Sequence, residues 1–272
     1  MKRAFVLLTM FMAAGAAFGQ MRDNRDSTLS CNNNRNVNGR DARSCEIRES
    51  SLGPSSSLDL QPGHNGGITV KGWSQNSVMV RAMVEAWAPT DADARALASQ
   101  VRVDTGGGLI RATGPDNNNN GFENQGWSVS LEVFAPWNTD LKMESHNGGI
   151  TISDMRGRIN FQSHNGGVRL ARVAGDVSGE THNGGIEAEL QGNTWEGRQL
   201  ELSTYNGGIT LSMPASYSAS LEAHTARGRV NSDFPINVRG RVDASDMNFN
   251  IGAGGPLIKV STHNGGIRLK NM

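Results

Sequence analysis

Residues 145–152 read SHNGGITI, and residues 163–170, eighteen positions later, read SHNGGVRL. The same unit returns at residues 181–186, 204–209 and 262–267, where Thr takes the first position and Tyr once replaces His. An earlier copy, HNGGI, begins at His64. Copies of one short pattern at a near-constant period are typical of a repeat protein in which each copy belongs to one structural unit.

Apolar and polar residues alternate on both sides of each copy. Leu141 and Met143 precede the HNGG of the first copy in this run, and Ile150 and Ile152 follow it. Alternation with period two predicts β-strands that bury one face. Each repeat is therefore predicted to be a strand, an Asn-Gly-Gly corner and a second strand. We expect the corner to need a positive φ, which Gly and Asn adopt more readily than other residues.

Two β architectures can place this corner between strands. In a β-solenoid the corners stack one strand spacing apart, whereas in an antiparallel meander or sandwich the Asn-Gly pair forms a hairpin turn. The near-constant step and the identical corner chemistry favour stacking. The predicted fold is all-β: a right-handed, β-helix-like solenoid with about 18–20 residues per coil. It carries a small α/β-type capping insertion, and the antiparallel meander or sandwich remains the alternative.

Stacked corners would align their side chains into two rows. The first is a structural ladder of corner amides, as in other stacked β-structures: Asn65, Asn147, Asn165, Asn183, Asn206 and Asn264. The second is a row of repeat histidines about 4.8 Å apart: His64, His146, His164, His182, His224 and His263. In this assignment His224 belongs to a degenerate copy with two extra residues, and Tyr205 interrupts the histidine row. A coil without a recognisable corner is expected between residues 224 and 263.

The chain begins with the features of a secretory signal peptide. Lys2 and Arg3 precede an apolar run, and small residues up to Gly19 precede the predicted cleavage site, so that Gln20 would begin the mature chain. No later segment has the length and apolar character of a transmembrane helix. The predicted localisation is therefore exported: periplasmic, on the cell surface or secreted.

Four segments are predicted along the chain. They are a signal peptide (1–19), a polar and loosely ordered N-terminal arm with a disulfide (20–57), a first repeat unit with a strand and helix capping region (58–135), and the solenoid repeat region (136–272). The arm holds both cysteines of the sequence, Cys31 and Cys45, and in an exported chain these are expected to be joined.

The capping region has secondary-structure signals of its own. Strand-like runs occupy residues 77–86, 100–104, 109–112 and 127–134. A helix is predicted after Thr90 as N-cap, with Asp91 and Asp93 in its first turn, where carboxylates are favourable. Residues 116–126, with four consecutive Asn, are predicted to form a flexible loop.

The charge balance excludes one class of partner. The chain has 26 basic and 26 acidic residues, and loss of Lys2 and Arg3 with the signal peptide leaves a net charge of about −2. A near-neutral chain lacks the basic surface that nucleic acid requires, so no nucleic-acid partner is expected. The partner is otherwise unknown. The candidates are a cell-envelope polysaccharide and a cell-envelope protein.

The Ser/Thr-His-Asn-Gly-Gly-Ile/Val units, the signal peptide and the helix-containing insertion together resemble a bacterial family. It is the family of exported, adhesin-like proteins of unknown function, whose members carry β-strand repeats with Asn-Gly or Gly-rich corners. Residues 58–272 fit the resemblance, and the arm with Cys31 and Cys45 lies outside the repeats. The resemblance implies a β-solenoid domain at the cell surface or in the periplasm, and it implies no established activity.

The residue pattern predicts no catalytic, cofactor or metal site. Ser145 and His146 are neighbours in a strand and point to opposite faces, so they cannot act as nucleophile and base. The acidic residues Glu144, Glu187, Glu189 and Glu201 occupy outward strand positions. The predicted function is a non-catalytic structural or interaction module that presents a β-solenoid face. The alternative is a carbohydrate-active β-solenoid enzyme, a polysaccharide lyase or hydrolase, which a groove with two or three carboxylates and an exposed aromatic would favour.

Overall fold

The computed structural model describes residues 26–31, 42–116, 125–235 and 245–272. The predicted signal peptide, its cleavage site before Gln20 and most of the predicted Asn-rich loop lie outside these residues. The described chain is nearly all β-structure, with a single helix. Its elements, in chain order, are β1 (Ala42–Leu52), β2 (Ser57–Gln61), β3 (Ile68–Trp73), β4 (Val78–Ala88), α1 (Asp91–Gln100), β5 (Arg102–Gly106), β6 (Leu109–Thr113), β7 (Gly126–Pro136), β8 (Asp140–Asn147), β9 (Ile150–Ser153), β10 (Arg156–Asn165), β11 (Val168–Ala171), β12 (Ala174–Asn183), β13 (Ile186–Glu189), β14 (Gln199–Asn206), β15 (Ile209–Met213), β16 (Ala219–Arg227), β17 (Val230–Ser232), β18 (Asp246–Ile251), β19 (Leu257–Asn264) and β20 (Ile267–Asn271).

The strands form two ten-stranded sheets, called sheet A and sheet B below. The spatial order in sheet A is β1-β4-β7-β3-β9-β11-β13-β15-β20-β17, and in sheet B it is β18-β16-β19-β14-β12-β10-β8-β2-β6-β5. Both sheets are mixed. The repeat strands pair in parallel, whereas β1 with β4, β4 with β7, β5 with β6 and β16 with β18 pair antiparallel.

Successive repeats pair at equivalent residues. Asn147 stands opposite Asn165, Asn165 opposite Asn183, and Asn183 opposite Asn206, all in parallel register within sheet B. Across each Asn-Gly-Gly corner the chain passes from sheet B into sheet A, where Ile150, Val168 and Ile186 are aligned in the same way. An antiparallel meander would pair neighbouring repeats in opposite directions, so the meander is wrong for residues 140–213, whereas two packed sheets agree with a sandwich-like arrangement.

The inward residues of both sheets share one continuous apolar core. Leu141 and Met143 enter it from sheet B, and Ile150 and Ile152 enter it from sheet A, each with at most 2% of its surface exposed. Complete burial of such a side chain stabilises the folded chain by about 1.5–3 kcal/mol. The period-two alternation in the sequence therefore corresponds to the buried face of each strand.

The first glycine of each corner is required by a close backbone approach. A Cβ added to Gly148, Gly166 or Gly184 would lie 2.1–2.2 Å from the carbonyl oxygen of the equivalent glycine in the neighbouring repeat. In the HNGG copies, only Gly66 has a positive φ, of 134°. The expectation that the corner needs a positive φ is therefore wrong for the other copies. Their first glycine is required for a different reason, since the stacked backbones leave no room for a side chain.

The capping region agrees with its sequence signals. Helix α1 begins after Thr90, whose side chain accepts a hydrogen bond from the backbone N–H of Asp93. The helix packs beside β1 and β4, where Arg48 of β1 donates hydrogen bonds to the carbonyl oxygens of Ala98 and Val101. The four predicted strand runs correspond to β4, β5, β6 and β7.

The N-terminal arm is more ordered than its polar composition suggests. Residues Ala42–Leu52 form the edge strand β1, which pairs with β4 along its whole length. The predicted disulfide is present, with 5.7 Å between the Cα atoms of Cys31 and Cys45. The prediction of a loosely ordered arm is therefore wrong for residues 42–52, because pairing with β4 orders them despite their composition.

The last repeat lies out of chain order. Strand β19 lies between β14 and β16, and β20 lies between β15 and β17. The described part of residues 224–263 contains β17 and the antiparallel strand β18, in place of the extra coil that the spacing predicted. Within the described ranges, no helix has the length and apolar character needed to cross a membrane.

Candidate functional site

The corner asparagines form one hydrogen-bonded row, called the amide row below. The Nδ2 of each asparagine after Asn65 donates to the Oδ1 of the preceding asparagine in the row over 2.7–2.9 Å. The order along the row is Asn65, Asn147, Asn165, Asn183, Asn206 and Asn264. The parallel register causes this row, since it places equivalent amides one strand apart.

Beneath the corners runs a row of buried hydroxyl groups. Thr181, Thr204 and Thr262 donate to the carbonyl oxygen of the first corner glycine in the neighbouring repeat over 2.8–2.9 Å. Their exposed fractions are at most 5%. The Ser or Thr of each unit is therefore an internal donor to a corner carbonyl that would otherwise be buried without a partner.

One position before each asparagine, the side-chain rings stack face to face on the outer surface of sheet B. Neighbouring ring centroids lie 4.3–5.0 Å apart, and all planes except those of the first pair lie within 4° of parallel. This ring row consists of His64, His146, His164, His182, Tyr205 and His263. Because the ring faces cover one another, the row presents ring edges to the solvent.

Two details of the predicted histidine row are wrong. Tyr205 does not interrupt the row, since its ring lies 4.9 Å from that of His182 and 4.7 Å from that of His263. His224 is not a member: it stands opposite Ser261, and Ala226 comes one position before Arg227, the partner of Asn264. The two extra residues of the degenerate copy therefore shift its histidine by two positions along the same face.

Stacking changes the acidity of one ring. Partial desolvation and the neighbouring imidazoles of His64 and His164 hold the pKa of His146 below its ordinary value of 6.5. Protonation of adjacent rings places like charges side by side, which disfavours the charged form. His146 is therefore harder to protonate than an isolated imidazole.

A groove of about 700 Å³ follows the ring row across the outer face of sheet B. Residues two positions before five of the six rings line it, because alternate strand residues point to the same side. They include Glu144, Gln162, Glu180, Ser203 and Ser261, together with His224 at one end. The groove thus combines imidazole edges, amides, hydroxyls and two carboxylates in a regular array.

The chemistry available to this groove is hydrogen bonding and charge pairing. Ser145 lies inside the fold with 3% of its surface exposed, and the adjacent His146 lies outside, so the two cannot form a nucleophile and base pair. Among the residues that the structure describes, no group of three or more His, Cys, Asp or Glu is placed to hold a metal ion. Glu187 and Glu189 lie on sheet A, away from the ring row, and Glu201 is paired with Lys259.

No protein-family model matches this chain, and no curated protein matches its sequence. Several solved structures resemble it distantly. A "putative cell adhesion protein" from Clostridium sporogenes shares 12% identity, with a TM-score of 0.45 over 84% of this chain and 100% of that one. A "putative adhesin" from Bacteroides fragilis shares 12% identity, with a TM-score of 0.36 over 84% of this chain and 97% of that one. A "putative lipid binding protein" from Parabacteroides distasonis shares 11% identity, with a TM-score of 0.32 over 83% of this chain and 96% of that one.

A second polar cluster lies on the outer face of sheet A, under residues 26–31. The Glu132 carboxylate is fully buried and accepts hydrogen bonds from Ser27, Thr28 and Lys71. Burial by itself raises the pKa of Glu132, but these hydrogen bonds outweigh it and hold that pKa below the ordinary value. The cluster therefore fastens the N-terminal segment to the sheet.

Neither the groove lining nor the Glu132 cluster was predicted from the sequence. For the groove, a signal existed: Glu144, Gln162 and Glu180 stand two residues before a ring and must share its face. For Glu132 no local signal existed, since its main partners lie on residues 26–28 and on β3, distant in the chain. Only the three-dimensional fold brings these residues together.

Proposed function

We propose that this chain is an exported, non-catalytic binding module that uses the groove beside the ring row to hold a cell-envelope polymer or protein. The repeats would form a β-solenoid, since each passes from sheet B to sheet A through the same corner and pairs in parallel with its neighbours. In this proposal residues 58–135 cap the stack and residues 136–272 supply the repeats.

The regular array of the groove carries the proposal. Six stacked rings, five imidazoles and one phenol, present polar edges over roughly 24 Å, at about 4.8 Å per strand. An imidazole edge can donate or accept a hydrogen bond, and stacking holds each ring in one orientation before a ligand arrives. Preorganisation lowers the entropy lost on binding. A surface with repeated chemistry suits a ligand that itself repeats, such as a polysaccharide.

A binding screen on the purified mature chain tests this function. The probes are arrayed cell-envelope glycans and intact cell-envelope fractions, with bound protein as the readout. We expect His164→Ala and Glu180→Ala, which alter the groove, to weaken any binding that the parent shows. The matched control is Arg169→Ala, on an exposed position of sheet A. Equal binding by the groove variants and the parent would place the site elsewhere.

Export is part of the proposal and has its own test. The signal-peptide features of residues 1–19 and the Cys31–Cys45 disulfide both support an oxidising compartment outside the cytoplasm. We expect the mass of the protein isolated from cells to correspond to a chain that begins at Gln20. A retained residue Met1 in the cell-associated protein would contradict export by this route.

A carbohydrate-active enzyme is the second candidate, and one observation favours it. Glu144 and Glu180 line the same groove two strands apart, near Tyr205, which is 46% exposed. Two strand spacings amount to roughly 10 Å, near the upper end of the carboxylate separation of roughly 6.5–9.5 Å in inverting glycosidases. Both carboxylates occupy exposed positions, however, whereas a catalytic general acid usually lies in a buried, apolar pocket.

Glycan cleavage separates the two candidates. Envelope polysaccharides are incubated with the parent and with Glu144→Gln and Glu180→Gln, and newly formed chain ends are measured. The binding module is expected to release no ends. Release by the parent that either variant abolishes would establish the enzyme instead.

A further inference from the structure

The repeat formed by β19 and β20, called the inserted repeat below, follows β16 and β17 in the chain but lies before them in space. Strand β19 pairs in parallel with β14 on one side and with β16 on the other. Strand β20 likewise pairs with β15 and β17. The inserted repeat therefore fills a slot whose two walls are formed by earlier parts of the chain.

The path of the chain agrees with such a slot. The links from β9 to β10, from β11 to β12 and from β13 to β14 have two, two and nine residues, and in each case the new strand lies beside the preceding strand of sheet B. The link from β15 to β16 has five residues, 214–218, and β16 lies one position further away from β14. In chain order, one strand position in each sheet is therefore skipped at β16 and β17 and is filled by β19 and β20.

The contacts that hold the inserted repeat are those common to all the repeats. On one wall, Asn264 donates to Asn206 over 2.7 Å and Thr262 donates to the carbonyl oxygen of Gly207 over 2.8 Å. On the other wall, Thr225 donates to the carbonyl oxygen of Gly265 over 2.8 Å. Four inward side chains complete the core, each with at most 1% of its surface exposed: Ile258, Val260, Ile267 and Leu269.

Without the inserted repeat, four strand edges would be unpaired: those of β14, β15, β16 and β17. Unpaired edges bind additional strands of suitable sequence. The inserted repeat is joined to β18 through residues 252–256, in which Gly252, Gly254 and Gly255 have positive φ values of 58°, 78° and 149°. Because glycine is not restricted to negative φ, these residues can adopt another path once the hydrogen bonds from Ala253 to Ser218 and from Gly254 to Ile251 are broken.

We propose that the slot also accepts the inserted repeat of a second copy of this chain, so that copies assemble by exchanging residues 257–271. The exchanged repeat makes the same amide, hydroxyl, ring and core contacts as the chain's own, and only the path of residues 252–256 differs. Exchange of an identical element is a low-cost route to oligomers. Exchange between copies competes with insertion of the chain's own repeat while the slot is still open during folding. The exchanged fraction of the protein rises with protein concentration.

Two single-cysteine chains test the exchange. Ser203 of β14 and Ser261 of β19 stand directly opposite each other and line the outer groove. A Ser203→Cys chain and a Ser261→Cys chain are unfolded, mixed and refolded together at high concentration under mildly oxidising conditions. We expect disulfide-linked dimers that join residue 203 of one copy to residue 261 of the other. Peptide mapping distinguishes this bond from Cys31–Cys45.

The matched control uses two repeats that are adjacent in both chain and space. Gln162 and Glu180 are directly opposite on β10 and β12 and also line the groove, but no slot separates their strands. We expect the Gln162→Cys and Glu180→Cys pair to yield several-fold less mixed dimer than the 203 and 261 pair. Equal yields from the two pairs would overturn the proposal, because they would reflect random collision.

A chain with both Ser203→Cys and Ser261→Cys shows whether refolding restores the slot. It should form the bond within one chain at low protein concentration. If it does, and the mixed pair still gives no dimer, exchange does not occur and the proposal is wrong. If the double variant refolds but forms no such bond, the repeat does not lie between β14 and β16, and the basis of the proposal is removed.

Discussion

At the scale of single residues, Asn165 shows what the amide row contributes. It donates to Asn147 and accepts from Asn183, each over 2.8 Å. Replacement by Ala removes both hydrogen bonds, and a typical net contribution is about 0.5–1.5 kcal/mol per bond. We therefore expect Asn165→Ala to lower the free energy of unfolding by about 1–3 kcal/mol, measured by urea denaturation.

The end of the row supplies the control. Asn264 donates to Asn206 but stands opposite Arg227, so it makes a single bond within the amide row. Asn264→Ala should therefore lower the free energy of unfolding by about half as much as Asn165→Ala. Equal losses at the two sites would mean that the amide bonds do not act as a row.

His146 connects the ring row with the dependence of stability on pH. Its pKa is lowered in the folded chain, so the unfolded chain binds more protons below about pH 6.5. Stability is therefore complete above this pH and decreases as the pH falls through the lowered pKa of the folded state. We expect the melting temperature to drop between about pH 7 and pH 5, and His146→Gln to make this drop smaller.

His224 is the comparison for the pH experiment, because it lines the same groove but lies outside the ring row. His224→Gln should keep the acid-induced drop of the parent. A His146→Gln chain with the same acid sensitivity as the parent would show that stacking does not influence protonation of the row.

At the scale of the element, the corner glycines decide whether repeats can stack. Gly166 and Gly167 are consecutive, yet a Cβ on Gly166 would lie 2.2 Å from the carbonyl oxygen of Gly148, and one on Gly167 would lie 3.5 Å from that of Gly185. The first contact requires the stacked backbones to separate, whereas the second is an ordinary van der Waals distance. We expect Gly166→Ala to cost roughly 1–3 kcal/mol, as overpacking typically does, and Gly167→Ala to cost much less.

Thermal unfolding of the two glycine variants measures this difference. Both substitutions introduce the same methyl group into the same corner, so helix or strand propensity cannot separate them. Similar melting temperatures for Gly166→Ala and Gly167→Ala would contradict close stacking of the corners.

At the scale of the whole molecule, the disulfide attaches residues 26–31, which belong to neither sheet, to strand β1. Cys31 is joined to Cys45 of β1, and Ser27 and Thr28 bind Glu132 on the outer face of sheet A. Closing a loop of about 15 residues contributes about 3 kcal/mol in the chain-entropy model. We expect reduction to release residues 26–31 while the two sheets remain folded, because β1 still pairs with β4.

Hydrogen exchange measured before and after reduction checks this expectation. The amide of Thr28, which donates to Glu132, should lose protection, and the repeat strands should keep theirs. Global unfolding on reduction would mean that the bridge stabilises the core as well. Replacement of Glu132 by Gln is a second route to the same release, since it removes the charge that Ser27 and Thr28 bind.

The repeat, its strands and its corner could be predicted from the sequence. Local patterns suffice for these features: period-two alternation predicts which residues are inward, and the recurring Asn and ring positions predict the two rows once parallel stacking is assumed. The helix after Thr90 was predictable for the same reason, because its N-cap and first-turn carboxylates are neighbours in the chain. The function of the corner glycine was not, since the contact that excludes a Cβ comes from another repeat.

The order of the repeats, by contrast, follows from the three-dimensional fold and could not be predicted from the sequence. The repeat spacing predicts that the degenerate copy at His224 follows the copy with Tyr205 in the stack. In the structure, the ring that stacks on Tyr205 is that of His263, and the amide that donates to Asn206 is that of Asn264. The copy with Ala226 and Arg227 lacks both groups, and it lies on the far side of the inserted repeat. Strand pairing over long chain distances follows the free energy of the contacts that form, and not the order of the segments along the chain.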